Sequence, residues 1–237
     1  MYPRGNNWLT VLSMVLALLC ASEEKPVAQG AAEGNQGPER TQSTDHELAA
    51  LLKRLEEGRS TGDVERDGNG DVISVALRWT NSNNRALFLV STLGSLQQLA
   101  ILGRGIPDEW TQEGISCLGK LTNLVTLRVA CVAPKPALKA GTFQEICNLR
   151  GLKSLSLVAA CPERSEYVAL TNLQGLAELN VSYATNFGDA ELCLLTNLVN
   201  LRNLSICYDA VSRQGTNVLS RMQRLTNATV RIRTPLP

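Results

Sequence analysis

The side chains that could do chemistry are few and far apart. In 237 residues there is a single histidine, His46. A serine or cysteine nucleophile would have only this imidazole as its base, and a histidine-rich metal site is excluded. Asp67, Asn69 and Asp71 match positions 1, 3 and 5 of an EF-hand calcium loop. That loop also needs Gly at position 6 and a bidentate Glu at position 12, where this chain has Val72 and Arg78. Asp, Gly and Asn in this order are the chemistry of a strand-connecting turn, which is the expectation here. Beyond Cys20, the cysteines fall into three pairs 14 residues apart: Cys117 with Cys131, Cys147 with Cys161, and Cys193 with Cys207. An even count in an exported chain fits disulfides, each worth about 3 kcal/mol for a loop of this size. Duplicated small core residues are the other reading. No C-x-x-C spacing supports zinc.

Asn180-Val-Ser, Asn203-Leu-Ser and Asn227-Ala-Thr match the glycosylation acceptor triplet. All three fall at strand positions, where a repetitive sequence generates such triplets by coincidence. There is no phosphate loop, nucleophile elbow or paired metal ligand set. The expectation is a non-enzymatic protein with no catalytic residues, cofactor or metal.

Composition narrows the alternatives. Lys plus Arg is 23 and Asp plus Glu is 22, so the net charge is +1. A nucleic-acid binder needs a basic surface to displace counterions, so nucleic acid is not an expected partner. Aromatic residues are 4%, few for a protein that stacks sugars or bases on rings.

The elements that position these residues begin after an export signal. Residues 1–7 carry one cation, Arg4, and no acid; Trp8 to Leu19 is apolar, and Cys20-Ala21-Ser22 leads into Glu23, Glu24 and Lys25. These are the parts of a secretory signal peptide, with cleavage expected after Ala21 or Ser22. Twelve residues span about 18 Å as a helix, short of a hydrocarbon core of about 30 Å, so the mature chain should carry no transmembrane span. Cys20 sits where bacterial lipoproteins are acylated, but Leu19 stands where that motif has Gly, Ala or Ser. The expected location is therefore outside the cytoplasm: periplasmic, at the cell surface or secreted. Residues 22–43 are poor in large aliphatics and read as a disordered linker.

The folded part, residues 44–237, should open with an N-terminal cap over 44–71. Thr44 and Glu47 have capping-box spacing. Leu48, Leu51, Leu52 and Leu55 form one apolar stripe of a helix that Gly58 can end. Segments 64–66 and 72–77 then flank the Asp-Gly-Asn-Gly turn as a hairpin.

From there the chain repeats. Leu93, Leu96, Leu99 and Ile101 recur as Leu121, Leu124, Leu127 and Val129, then in the copies anchored at Leu155, Leu179 and Leu204, with degraded copies at Val75 and Ala228. The third anchors, 75, 99, 127, 155, 179, 204 and 228, are 24, 28, 28, 24, 25 and 24 residues apart. This unit resembles the leucine-rich repeat family over about residues 64–232. Thr111-Gln-Glu-Gly114-Ile115 and Ser212-Arg-Gln-Gly215 resemble the variant found in exported bacterial members, with Phe187-Gly-Asp189-Ala-Glu-Leu192 a looser match. Position 9 of the unit departs from the family's Asn or Cys: it is Thr80, Arg104, Val132, Ala160, Ala184 and Asp209. No continuous asparagine ladder is expected there. The fold class implied is α/β, a solenoid with a curved parallel sheet on its concave face and helices or irregular turns on its convex face. The expansions at 107–110 and 134–137 should be surface loops.

A module that binds a protein or peptide through the concave sheet is the function this resemblance implies. An architectural spacer, or an intracellular adaptor if the signal is misread, are the alternatives. The concave candidates are Arg78, Leu102, Arg128, Val158, Asn180, Ser182, Ser205 and Arg231, joined by Tyr183 and Tyr208 at the strand ends. On this assignment the face is small-sided, sparsely cationic and free of acids.

Overall fold

A computed structural model describes residues 42–57, 63–78, 83–103, 112–131, 138, 141–184, 186–207 and 211–231. The signal segment, Cys20 and the linker up to residue 41 lie outside the described residues, as do Gly58, both expanded loops and Tyr208. Helix α1 (Gln42–Glu56) buries Thr44, Leu48, Leu51, Leu52 and Leu55. Thr44 is therefore not the cap, because the helix already includes Gln42. Thr44 lies four residues before Leu48, on the same face, so it extends the buried stripe. Strands β1 (Val64–Arg66) and β2 (Val72–Arg78) pair antiparallel, with an irregularity between Glu65 and Arg66. In the intervening turn Asp67 Oδ1 accepts from the N–H groups of Asn69 at 2.9 Å and Asp71 at 3.0 Å. The carboxylate is spent on its own turn, as an Asx-type turn requires.

Each later strand adds to the growing edge. β3 (Gln98–Gly103), β4 (Thr126–Cys131), β5 (Ser154–Val158), β6 (Glu178–Ser182), β7 (Asn203–Cys207) and β8 (Asn227–Arg231) continue one eight-stranded sheet in sequence order. From β2 onward every pair is parallel. The register joins Val75, Leu99, Leu127, Leu155, Leu179, Leu204 and Ala228 in one row across the sheet. These are the third anchors of the sequence repeat, so the unequal intervals of 24 to 28 leave the strand register untouched. Leu127, Val129, Leu157 and Val181 have no exposed surface.

The return segments are short: α2 (Asn84–Val90), α3 (Gln112–Ser116), α4 (Thr142–Cys147) and α5 (Asp189–Leu194), with 3-10 turns over Cys117–Lys120, Arg164–Asn172, Leu195–Asn197 and Gly215–Arg221. A return of one or two turns cannot hold itself together in water, so burial against neighbouring coils must stabilise it. Phe143, Tyr167 and Phe187, all fully buried, stack edge to face through three successive coils with centroids 5.6 and 5.2 Å apart. The Tyr167 hydroxyl donates to Asn186 Oδ1 (3.1 Å), so the buried ring keeps its polar tip satisfied.

Backbone groups at the strand starts are satisfied by a ladder of their own. N–H groups of Gln97, Val125, Lys153, Ala177, Arg202 and Thr226 each donate to the preceding coil. Side chains reinforce it intermittently: Asn123 Nδ2 reaches the Gly94 carbonyl and Asn200 Nδ2 the Gln174 carbonyl, both at 2.8 Å. An asparagine ladder therefore exists in part, at the strand starts and not at position 9, where Ala160 and Ala184 are buried. Gly151 and Gly175 occupy the equivalent position, and a Cβ there would stand 3.5 and 3.6 Å from a carbonyl of the coil before.

Candidate functional site

Residues that alternate with the buried rows face the other side of the sheet. One such row is Ala76, Ala100, Arg128, Ser156, Asn180, Ser205 and Thr229; the next is Arg78, Leu102, Ala130, Val158, Ser182, Cys207 and Arg231. The sheet register thus places Arg78, Leu102, Arg128, Val158, Asn180, Ser182, Ser205 and Arg231 on one face.

A third row completes this face, and sequence reasoning missed it: Ser74, Gln98, Thr126, Ser154, Glu178, Asn203 and Asn227. The strands begin one residue earlier than the anchor pattern marks, and the signal was a polar residue directly before each third anchor. The expectation of an acid-free face is corrected by Glu178, which is exposed on β6. Its Oε1 accepts from Asn203 Nδ2 (3.0 Å) and its Oε2 from the Ser154 hydroxyl (3.3 Å). Asn227 Nδ2 in turn donates to Asn203 Oδ1 at 2.8 Å. In the middle row Asn180 Nδ2 donates to Ser156 Oγ (3.3 Å), and the Ser182 hydroxyl donates to Asn180 Oδ1 (2.8 Å). Strands β5 to β8 therefore carry a continuous mesh of amides and hydroxyls. Asn180, Asn203 and Asn227, the three acceptor triplets, are part of it.

The other half of the face is cationic. Arg78 Nε donates to Asp63 Oδ1 at 2.6 Å, with the Asp63 side chain 7% exposed. Burial, and secondarily the charge of Arg78, holds Arg128 below its ordinary pKa. A guanidinium stays protonated through such a shift, so Arg128 is a partly desolvated cation two strands from Arg78.

Tyr183 leaves β6 at φ 61°, and Ala159 leaves β5 in the same register at φ 51°. Left-handed backbone in a non-glycine residue costs about 1–2 kcal/mol. Two successive coils thus turn off the sheet through a strained residue. The Tyr183 N–H donates to the Cys207 carbonyl (2.8 Å), and its ring stays at the rim, 36% exposed.

Among the described residues no disulfide joins the six cysteines. The pairing by 14-residue intervals is corrected by their positions: the interval runs from a return segment to a strand or its end. Cys117 is on a 3-10 turn while Cys131 ends β4; Cys147 ends α4 while Cys161 follows β5; Cys193 is on α5 while Cys207 is on β7. Cys131 and Cys147 are buried. Burial, and secondarily the nearby Cys161, pushes the Cys131 thiol up to about 12; burial followed by the charge of Glu166 raises Cys147. Among the described residues no cluster of His, Cys, Asp or Glu could hold a metal ion, and no helix is long and apolar enough to cross a membrane.

Parallel strands at a 24 to 28-residue period, inward leucine rows and short returns define the class: the fold is a leucine-rich repeat solenoid. No protein-family model and no curated protein matches the chain. Solved structures do. An internalin from Listeria monocytogenes is similar at 14% identity, with 69% of this chain and 50% of that one covered and a TM-score of 0.42. The ectodomain of the Arabidopsis receptor kinase HAESA, in complex with a peptide hormone, is similar at 12% identity, covering 81% and 42%, with a TM-score of 0.35. The plant peptide hormone receptor RGFR1, in complex with RGF2, is similar at 13% identity, covering 72% and 33%, with a TM-score of 0.39. The chain spans half or less of the length of each.

Proposed function

We propose that this chain is an exported, non-enzymatic interaction module whose concave sheet face binds a protein or peptide. The observation that carries the reading is the face itself: three aligned rows of half-buried, mostly small polar side chains, with the Arg78 and Arg128 cations at one end and Tyr183 at the rim. Amides and hydroxyls that donate and accept suit the alternating groups of a polypeptide, and small side chains permit close approach. Three cations, Arg78, Arg128 and Arg231, and one acid across the face are too few for a polyanion, whose affinity scales with phosphates neutralised. Tyr183, and Tyr208 in the equivalent position one coil on, supply the residue type favoured as an interface anchor. Export rests on the Trp8 to Leu19 run and its charged exit.

Two experiments test this. N-terminal sequencing of the protein from its source should find a mature chain starting near Ser22 or Glu23; an intact Met1 on cytosolic protein refutes export. With a partner captured by affinity, Arg128→Glu, Tyr183→Ala and Tyr208→Ala should weaken binding while Val199→Ala, in the turn before β7, does not. Wild-type binding by all three variants refutes use of this face.

A further inference from the structure

The two ends of the solenoid are unlike. At the first, α1 and the β1–β2 hairpin cover the core, and their leucines are buried. At the other, β8 is the edge strand among the described residues, and its coil is markedly more open than those before it. Leu195, Leu201 and Leu204 are buried, whereas the equivalent Leu219 and Leu225 are half-buried and Ala228 is exposed. An open edge strand and a half-covered apolar row form a surface able to accept another strand.

Charge identifies what fits. Residues 211–231 contain four arginines, Arg213, Arg221, Arg224 and Arg231, and no acid. None of them is paired with a carboxylate among the described residues. Residues 42–57 and 63–71, at the first end, hold eight acids against three cations. Those cations are already occupied, Arg66 and Lys53 by Glu56 and Glu57 and Arg54 by the Ala50 carbonyl, and Arg78 and Arg85 take Asp63 and Glu47, which leaves Glu65 and Asp71 outside any ion pair among the described residues. Glu65 on β1 and Asp71 at the start of β2 are exposed. A symmetric contact of two β8 edges would bring arginines against arginines, which is unfavourable. A head-to-tail contact sets the basic coil against the acidic cap, with Arg224, in the turn before β8, on the same border of the sheet as Asp71.

We propose that the β8 end is an assembly surface that receives the α1–β1 end of a second copy, continuing the sheet from one molecule into the next. Such a contact uses two different patches, so it propagates head to tail into rows or rings. Opposite charge at the ends sets its polarity and makes it sensitive to salt.

Sedimentation and light scattering on the full chain test this through charge exchange. Wild type should grow in mass with concentration and return to monomer in high salt. Arg221→Glu/Arg224→Glu and Glu65→Lys/Asp71→Lys should each weaken self-association by at least about tenfold, because each now opposes like charges. Mixing the two variants should restore association, since each then offers the complement of the other. Association through the apolar Trp8 to Leu19 run would ignore all four changes. A monomer at every concentration overturns the proposal, as do a mass unaffected by the reversals and a failure of the mixture to recover. If association appears only after residues 232–237 are deleted, the chain covers its own edge and the proposal is likewise overturned.

Discussion

Replacing Gly215 by alanine should destabilise the protein in one background and stabilise it in another. Asp189, at the start of α5, reaches forward into the next coil: Oδ1 accepts the Ser212 N–H at 2.7 Å and Oδ2 the Ser212 hydroxyl at 2.6 Å. Ser212 Oγ also accepts the Gly215 N–H at 3.0 Å, closing the Ser-x-x-Gly turn around the carboxylate. A Cβ on Gly215 would overlap Asp189 Oδ1 and Cγ and stand 2.8 Å from Oδ2. Alanine therefore expels the carboxylate. Two hydrogen bonds at a partly exposed site contribute about 1–3 kcal/mol together. Against this, Gly to Ala in a helical turn gains about 0.5–1 kcal/mol. The net cost of Gly215→Ala is then about 1 kcal/mol (range about 0–2.5), a fall in thermal midpoint of about 2–4 °C for a chain of this size. In an Asp189→Ala background nothing remains to expel, and the same change should raise the midpoint. Urea denaturation of the four proteins in this cycle reads both signs. Gly119→Ala, where a Cβ meets nothing within 4 Å, is the control and should be neutral or stabilising. Stabilisation by Gly215→Ala beside an intact Asp189, or a cost that persists without Asp189, refutes the clasp.

Three further outcomes are expected. Leu155→Ala, at a position 1% exposed in the middle of the inward row, should cost about 2–5 kcal/mol, and exposed Gln97→Ala about 0.5 kcal/mol or less; equal shifts of the denaturation midpoint would show the register to be misassigned. Acid should weaken the fold below about pH 4: hydrogen bonds from Ser212 hold Asp189 below its usual range. For Glu191 burial pushes upward but is outweighed by Arg164 and the backbone donors. With folded values below unfolded ones, their stabilisation is present above about pH 4 and disappears as pH falls through the folded values; thermal scans should show a shallower acid loss for Asp189→Asn. Thiol labelling of the native protein should modify exposed Cys193 first, then half-buried Cys117 and Cys207, and reach Cys131 and Cys147 only on unfolding; loss of two labelling sites at once under oxidising conditions would instead reveal a disulfide.

The inward rows were legible because strand alternation has period 2 and the leucine frame fixes its phase. That is why Val75 and Ala228, far from leucine in size or context, still fall in register. The Asp67 turn was legible because its competitor, a calcium loop, requires ligands at Val72 and Arg78 that are absent. Glu178 was not, since the leucine frame marks where a strand is buried and says little about where its pairing begins. Thr44 misled because a hydroxyl followed by a carboxylate reads as a cap wherever it stands, and only packing shows that the threonine methyl continues the apolar stripe. The cysteine interval misled in a related way: 14 residues is about half a coil, so it joins opposite sides of the solenoid. The Ser-x-x-Gly motif was visible at Ser212, but its occupant, Asp189, is 23 residues away and arrives only when the coils stack.

The carboxylates on the return segments also set how the molecule should behave when pulled. Glu166 reaches back to the Gly141 N–H at 2.7 Å, and Glu191 reaches back to Arg164 at 2.7 Å, so each coil is fastened to the one before it. On the return side the coil of residues 211–231 relies on the Asp189 latch, and its inward row is the least covered. Tension applied at the carboxyl end should peel that coil first and then advance toward α1 one coil at a time. Each step would release about 24–28 residues, a contour gain of about 80–100 Å. The solenoid would act as a graded extensible spring whose weakest link is also the coil that carries β8, the edge strand among the described residues.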